Sequence, residues 1–133
     1  MRPTSLRLHN FRAFADADID LSRIEAAAIV GPNGAGKSTI AEGIIWALYG
    51  DQRSSLVDGV VKLGESEASV ALDYEHDGAT YLIVRKRSRG SRSELQYLVT
   101  RDAVTDGADW LPPTQALTRA SIAETQAKIV HDL

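Results

Sequence analysis

The chain has 133 residues, 44% of them hydrophobic, enough to enclose the core of one domain. A net charge of -3 and a pI near 5.6 exclude binding to nucleic acid through a global positive field, so any such contact must come from a local patch. With no cysteine there is neither a disulfide framework nor thiolate chemistry, and with no apolar run near the length of a membrane span the chain reads as cytoplasmic.

Thr4 to Phe11 alternates, with Leu6 and Leu8 on one face and Arg7 and His9 on the other, which predicts a half-buried strand. Asn10-Phe11-Arg12-Ala13-Phe14 breaks the alternation. Asp16, Asp18 and Asp20 then alternate with Ala17, Ile19 and Leu21, predicting a second strand with one wet face. Three carboxylates spaced along an exposed strand repel one another and read as a solvated edge before they read as a metal site. Ser22-Arg23 makes the turn into an apolar run, Ala26 to Val30.

That run leads into Gly31-Pro32-Asn33-Gly34-Ala35-Gly36-Lys37-Ser38-Thr39, which fits G-x-x-x-x-G-K-S in the strand-loop-helix setting that a phosphate-binding loop requires. Gly31, Gly34 and Gly36 allow the backbone to curl until successive N–H groups point at a polyphosphate, and a helix starting near Lys37 adds its positive end. Lys37 supplies a point charge to the β- and γ-phosphates, and the Ser38 hydroxyl a ligand to Mg²⁺. The alternative, a glycine-rich turn that happens to precede a helix, leaves the complete pattern unexplained.

Ile40, Ile44 and Leu48 fall at helical spacing, with Ala41 and Ile45 widening the apolar face, and Gly50 stands at the usual C′ position. Trp46 and Tyr49 lie towards another side and read as core or a domain contact before a base-stacking platform. Asp51 to Gly59 is polar and loop-like. From Val60 the period becomes two: Ala68, Val70, Leu72 and Tyr74 share a face, His76-Asp77-Gly78-Ala79 signals a hairpin, and Tyr81, Ile83 and Arg85 return along the partner. Leu95, Tyr97 and Val99 form a third strand after the Gly90-Ser91 turn, and Asp106-Gly107 marks a further reversal before Trp110. Pro112-Pro113 precedes Ser121-Ile122-Ala123-Glu124, a capping box opening a helix marked by Ile122, Ile129 and Leu133, whose stripe asks for a partner. One lobe in three segments is predicted: 1–59, a meander over 60–111, and a helix-bearing end over 112–133.

Arg85, Lys86, Arg87, Arg89 and Arg92 gather positive charge in this acidic chain. They are candidates for sequence-independent phosphate contacts with DNA, or a charged strand end that discourages edge pairing.

Hydrolysis asks for more than a phosphate loop. A second acidic group is needed at the end of an apolar strand, and the candidate, Asp73 in Val70-Ala71-Leu72-Asp73-Tyr74-Glu75, follows a short apolar run, precedes Tyr74 rather than a catalytic Glu, and is better explained by the hairpin. No Leu-Ser-Gly-Gly signature occurs, and His9, His76 and His131 lack metal-ligand spacing. The chain thus looks like half of a catalytic unit.

The chain resembles the N-terminal ATPase lobe of the SbcC-type DNA double-strand-break repair ATPases, relatives of the structural-maintenance-of-chromosomes proteins in the ABC class. The matching pieces are Leu8-His9-Asn10-Phe11-Arg12, Gly31 to Thr39, Trp46-Ala47-Leu48-Tyr49-Gly50, Val61-Lys62-Leu63-Gly64 and the hairpin from Tyr74 through Arg87. The resemblance implies an α/β fold, with a mixed sheet around the phosphate-loop helix plus an antiparallel β meander. It implies ATP and Mg²⁺ as cofactors, with Asn33, Gly34, Ala35, Gly36, Lys37, Ser38 and Thr39 wrapping the phosphates, Lys37 catalytic, Ser38 on the metal and Arg12 contacting the nucleotide. Val61, Lys62 and Leu63 are implied to border adenine and ribose. In the family the C-terminal lobe beyond a coiled coil carries the acidic strand, signature and switch histidine; Gln126 does not match the Mg-sensing glutamine. The implied partners are that C-terminal lobe, a second head, an SbcD-type nuclease and DNA.

A RecF-like recombination head shares the strand, the N-F-R start and the loop but has no long coiled coil. A transporter ATPase would carry an aromatic Tyr ahead of Gly31, where this chain has Arg12. A scaffold whose loop no longer binds nucleotide is the remaining alternative.

Overall fold

A computed structural model describes residues 1–24, 37–50, 57–90, 93–101 and 114–133. Six strands, β1 (Arg2–Phe11), β2 (Phe14–Asp20), β3 (Glu67–His76), β4 (Ala79–Ser88), β5 (Ser93–Arg101) and β6 (Thr114–Ala116), form one sheet in the order β2-β1-β3-β4-β5-β6. Every described pairing is antiparallel. The expected parallel element, Ala26 to Val30, lies outside the described residues, as do Asp106-Gly107, Trp110 and Pro112-Pro113. The meander is not a separate addition to the first two strands: β1 pairs with β3 from Arg2↔Glu75 to His9↔Ser69, so segments 1–59 and 60–111 share one sheet.

Alternation decides the faces. Leu6 and Leu8 on β1, Ala68, Val70, Leu72 and Tyr74 on β3, Ile83 on β4, and Leu95, Tyr97 and Val99 on β5 are buried on the inner face. Arg7 and Asp73 meet on the other face, Nη2 to Oδ2 at 3.0 Å. Among the described residues β2 is an edge strand, and Asp16, Asp18 and Asp20 are exposed along it. Asp77 and Gly78, at φ 48° and 75°, supply the two left-handed residues that a tight β3–β4 hairpin demands.

Helices α1 (Lys37–Tyr49) and α2 (Ile122–Asp132) pack on the inner face, α1 against β1, β3 and β4, α2 against β5 and α1. Ser121 caps α2, accepting a hydrogen bond from the Glu124 N–H at 3.2 Å as the S-x-x-E pattern predicts. The apolar stripes differ from expectation. On α1 the buried positions are Thr39, Gly43, Trp46, Ala47 and Leu48, while Ala41 and Ile45 face outward. The reason is the glycine: Gly43 approaches β1 so closely that a Cβ there would stand 2.8 Å from Leu8 Cδ2, which turns the Gly43 side of the helix to the sheet. On α2 only Thr125 and Ile129 are buried; Ile122 and Leu133 are 40% and 37% exposed.

Candidate functional site

β1 ends in an irregular corner. Asn10 and Arg12 take φ of 47° and 50°, a left-handed conformation uncommon outside glycine, and the shift re-aims Phe11 into the core after Leu6 and Leu8. This corner docks on the segment after a short 3-10 turn, Val57–Val60. The Arg12 N–H donates to the Val60 carbonyl at 2.8 Å, the Lys62 N–H donates to the Asn10 carbonyl at 2.7 Å, and Phe11 bridges Val61. Two stretches distant in the chain, 10–12 and 60–63, are thereby brought into one place. Val61 itself is 5% exposed and packs in the core, whereas Leu63 is 91% exposed at the tip of a turn closed by the Glu65 N–H on the Lys62 carbonyl at 3.0 Å. The side chains that this segment offers to a ligand are therefore Lys62 and Leu63.

The corner is tied to α1 by an ion pair, Arg12 Nε to Glu42 Oε2 at 2.6 Å. Glu42 lies one helical turn beyond Ser38, so the pair stands beside the start of the helix. Ser38 is exposed in the first turn and Thr39 is buried at 5%; that turn contains no acidic residue. A helix N-terminus of this kind is favourable to anions because its free N–H groups and dipole are not offset by a built-in carboxylate. Gly31, Asn33, Gly34, Ala35 and Gly36 lie outside the described residues, as does the side chain of Lys37. Next to the ion pair a cleft of about 210 Å³ opens, with Phe11, Trp46 and Val60 among its apolar lining and Arg12 and Glu42 at its charged side. The Phe11 and Trp46 rings are 5.6 Å apart and tilted by 42°. Sequence reasoning missed Glu42, although its place four residues after Ser38 was a usable signal.

Other candidates fall elsewhere. Asp73, on the outward face and engaged by Arg7, does not share a face with α1. The basic cluster is not one surface. Arg85 is 4% exposed within the inner face, so its place in a DNA-contacting patch is corrected: strand alternation turns it inward beside Ile83. Lys86 is exposed, Arg87 donates to Ser93 Oγ at 3.2 Å, and Arg89 donates to the Glu65 and Val61 carbonyls at 3.2 and 3.4 Å. Arg92 lies outside the described residues.

A polar chain runs from the core to the end of α2. The Tyr74 and Tyr97 hydroxyls are 3.0 Å apart, and Tyr97 donates to Asp132 Oδ2 at 3.1 Å. Lys128 Nζ is 2.5 Å from the other oxygen of Asp132. Burial pushes the Tyr74 phenol up to about 12, and the Tyr97 phenol higher still. Desolvation raises Asp132, but hydrogen bonds from Lys128, His131 and Tyr97 outweigh it and hold the carboxyl below its ordinary range. Among the described residues no helix is long and apolar enough to cross a membrane.

A family described as the AAA domain matches residues 5–124. The SbcC component of the nuclease SbcCD from Deinococcus radiodurans is 39% identical over 93 residues, covering 67% of this chain and 10% of that protein. The DNA double-strand break repair Rad50 ATPase of Thermoplasma acidophilum is 34% identical over 103 residues, covering 75% of this chain and 11% of that protein. Its namesake from Methanocaldococcus jannaschii is 33% identical over 85 residues, covering 64% of this chain and 8% of that protein. The chain thus spans about a tenth of the length of these relatives. With a matched region that takes in the β1 corner, the loop sequence, both helices' starts and the meander, the chain belongs to the AAA domain family, and its likeness is to the SbcC and Rad50 repair ATPases.

Proposed function

We propose that this chain is the ATP-binding lobe of a DNA-repair ATPase, gripping Mg-ATP at Gly31 to Thr39 and completing its hydrolytic site with polypeptide from a second lobe. The observation that carries the reading is the G-x-x-x-x-G-K-S sequence leading directly into α1, whose first turn is free of acidic residues. The Arg12 guanidinium beside that helix supports it, as does the adjoining cleft, where Ile45, 37% exposed, is the open apolar side chain available to the non-phosphate end of a nucleotide.

In this reading the backbone N–H groups of Asn33 to Gly36 orient the phosphates, Lys37 neutralises the β- and γ-oxygens, and Ser38 gives its hydroxyl oxygen to the metal. Ser38 would hold Mg²⁺ there, and the ion would supply positive charge to offset that of the phosphates. Arg12 and Lys62, joined by the corner's backbone hydrogen bonds, flank the sugar and base together with Leu63. Asp73 is committed to Arg7, so no acidic partner for Ser38 comes from β3, and turnover by the chain alone is negligible. The names of the relatives, a nuclease SbcCD subunit and a DNA double-strand break repair ATPase, support a role in double-strand-break repair; a cytoplasmic location, an SbcD-type nuclease partner and a second head engaged through ATP are parts of the same proposal.

Calorimetric titration with Mg-ATP tests the reading. Micromolar binding by the wild type and none by Lys37→Ala is expected; equal affinity in both proteins defeats it.

A further inference from the structure

The proposed function places the phosphates at the first end of α1. At the other end the last carbonyls of a helix have no intrahelical partners and carry the negative pole of its dipole. Arg85 meets them. It is 4% exposed, its Nη2 donates to the Ala47 carbonyl at 3.1 Å, and its guanidinium carbon stands 5.7 Å from the centre of the Trp46 ring. Gly50 makes the approach possible: at φ 65° it closes the helix, and a Cβ there would lie 2.8 Å from Arg85 Nη1.

The same Nη2 donates to Gln126 Oε1 at 2.5 Å, and Gln126 Nε2 donates to the Leu48 carbonyl at 2.6 Å. Gln126 belongs to α2, so one amide joins β4, the end of α1 and the middle of α2. Only a primary amide satisfies both neighbours, accepting from a guanidinium while donating to a carbonyl. A carboxylate would keep the first bond and set an oxygen against the Leu48 carbonyl; an aliphatic side chain would keep neither.

We infer that Arg85 and Gln126 form a latch coupling the docking of α2 to the setting of α1, and through α1 to nucleotide affinity at its opposite end. Gln126 is a positioning residue in this scheme, and the inference rests on the nucleotide reading above. Opening the latch takes a hydrogen-bond acceptor away from a buried charge, which opposes opening. A nucleotide that favours one setting of α1 then tightens α2, and by reciprocity a docked α2 tightens nucleotide.

Amide hydrogen exchange over 122–132 and calorimetric titration with Mg-ATP, on the full chain, test the latch. In the wild type Mg-ATP slows exchange across α2. In Gln126→Leu and Gln126→Glu affinity falls about 5-fold or more, the lower bound of ordinary coupling, and the response of α2 to nucleotide disappears while circular dichroism stays native. Should either variant fail to fold, Arg85→Lys, which keeps the charge and loses the planar fork, is expected to show the same loss. Wild-type affinity in the folded variants, or an α2 that still responds to nucleotide in them, overturns the latch and leaves the nucleotide site standing. Absence of Mg-ATP binding by the wild type overturns both.

Discussion

Arg12 and Glu42 join the end of β1 to the second turn of α1 across 2.6 Å, with side chains 39% and 40% exposed. The pair therefore fixes a corner held otherwise by the backbone hydrogen bonds that run from Arg12 to Val60 and from Lys62 to Asn10. At that exposure water screens the attraction, so its share of stability is small while its geometric role is not.

Glu42→Gln is accordingly expected to change stability by less than about 1 kcal/mol in urea titration, yet to weaken Mg-ATP binding measurably by freeing Arg12. A loss of several kcal/mol with unaltered affinity would reverse this assignment of roles.

Gly43 sets the distance between α1 and β1, since a Cβ there would come within 2.8 Å of Leu8 Cδ2 and 3.8 Å of Phe11 Cε1. Gly43→Ala gains roughly 1 kcal/mol of helix propensity against the displacement of a flexible leucine tip, and should fall near neutral. Gly43→Leu has no such escape and should lose about 1–3 kcal/mol or more. Chemical denaturation of the two variants side by side distinguishes close packing from mere helix preference, which would favour leucine.

Ile129 is fully buried on α2, whereas Ile122 and Val130 are 40% and 51% exposed. Ile129→Ala should cost about 2–5 kcal/mol, and Ile122→Ala or Val130→Ser within about 0.5 kcal/mol. Thermal melts of the three variants check the ranking. Comparable losses at Ile122 and Ile129 would mean that the helix is rotated from the position described.

The tyrosine pair makes a prediction in alkali. A phenol whose folded value lies above the ordinary 10 contributes stability that is fully present below pH 10 and is lost as pH rises towards about 12, the value reached by Tyr74. Stability should therefore fall steeply above pH 10, and more shallowly in Tyr97→Phe, followed by circular dichroism. Asp132 acts with the opposite sign: its lowered carboxyl adds stability above the ordinary 3.8 that is lost as pH falls through the depressed value. Asp132→Asn should flatten the acid limb of the same profile.

Local pattern was enough for much of the chain. The alternation of Leu6 and Leu8 with Arg7 and His9, of Ala68 through Tyr74, and of Leu95 through Val99 named the inner face correctly, because a strand's side chains alternate whatever surrounds it. Asp77-Gly78 and Ser121-x-x-Glu124 were readable for the same reason, each being closed by bonds within a few residues. The G-x-x-x-x-G-K-S pattern is the basis of the proposed nucleotide chemistry, and residues 31–36 lie outside the described residues.

What the sequence could not decide was everything set by contact between distant segments. Periodicity marked Ala41 and Ile45 as core, and the grouping of charges put Arg85 on a basic surface, but the close approach of Gly43 to Leu8 turned α1, and the carbonyls at its far end hold Arg85 on the inner face where alternation places it. Hydropathy along a helix says that one side will be buried; which side depends on the shape of the surface it meets. A charge placed by alternation on an inner face stays there only if the fold brings it partners, and for Arg85 the Ala47 carbonyl and the Gln126 amide arrive from 38 and 41 residues away.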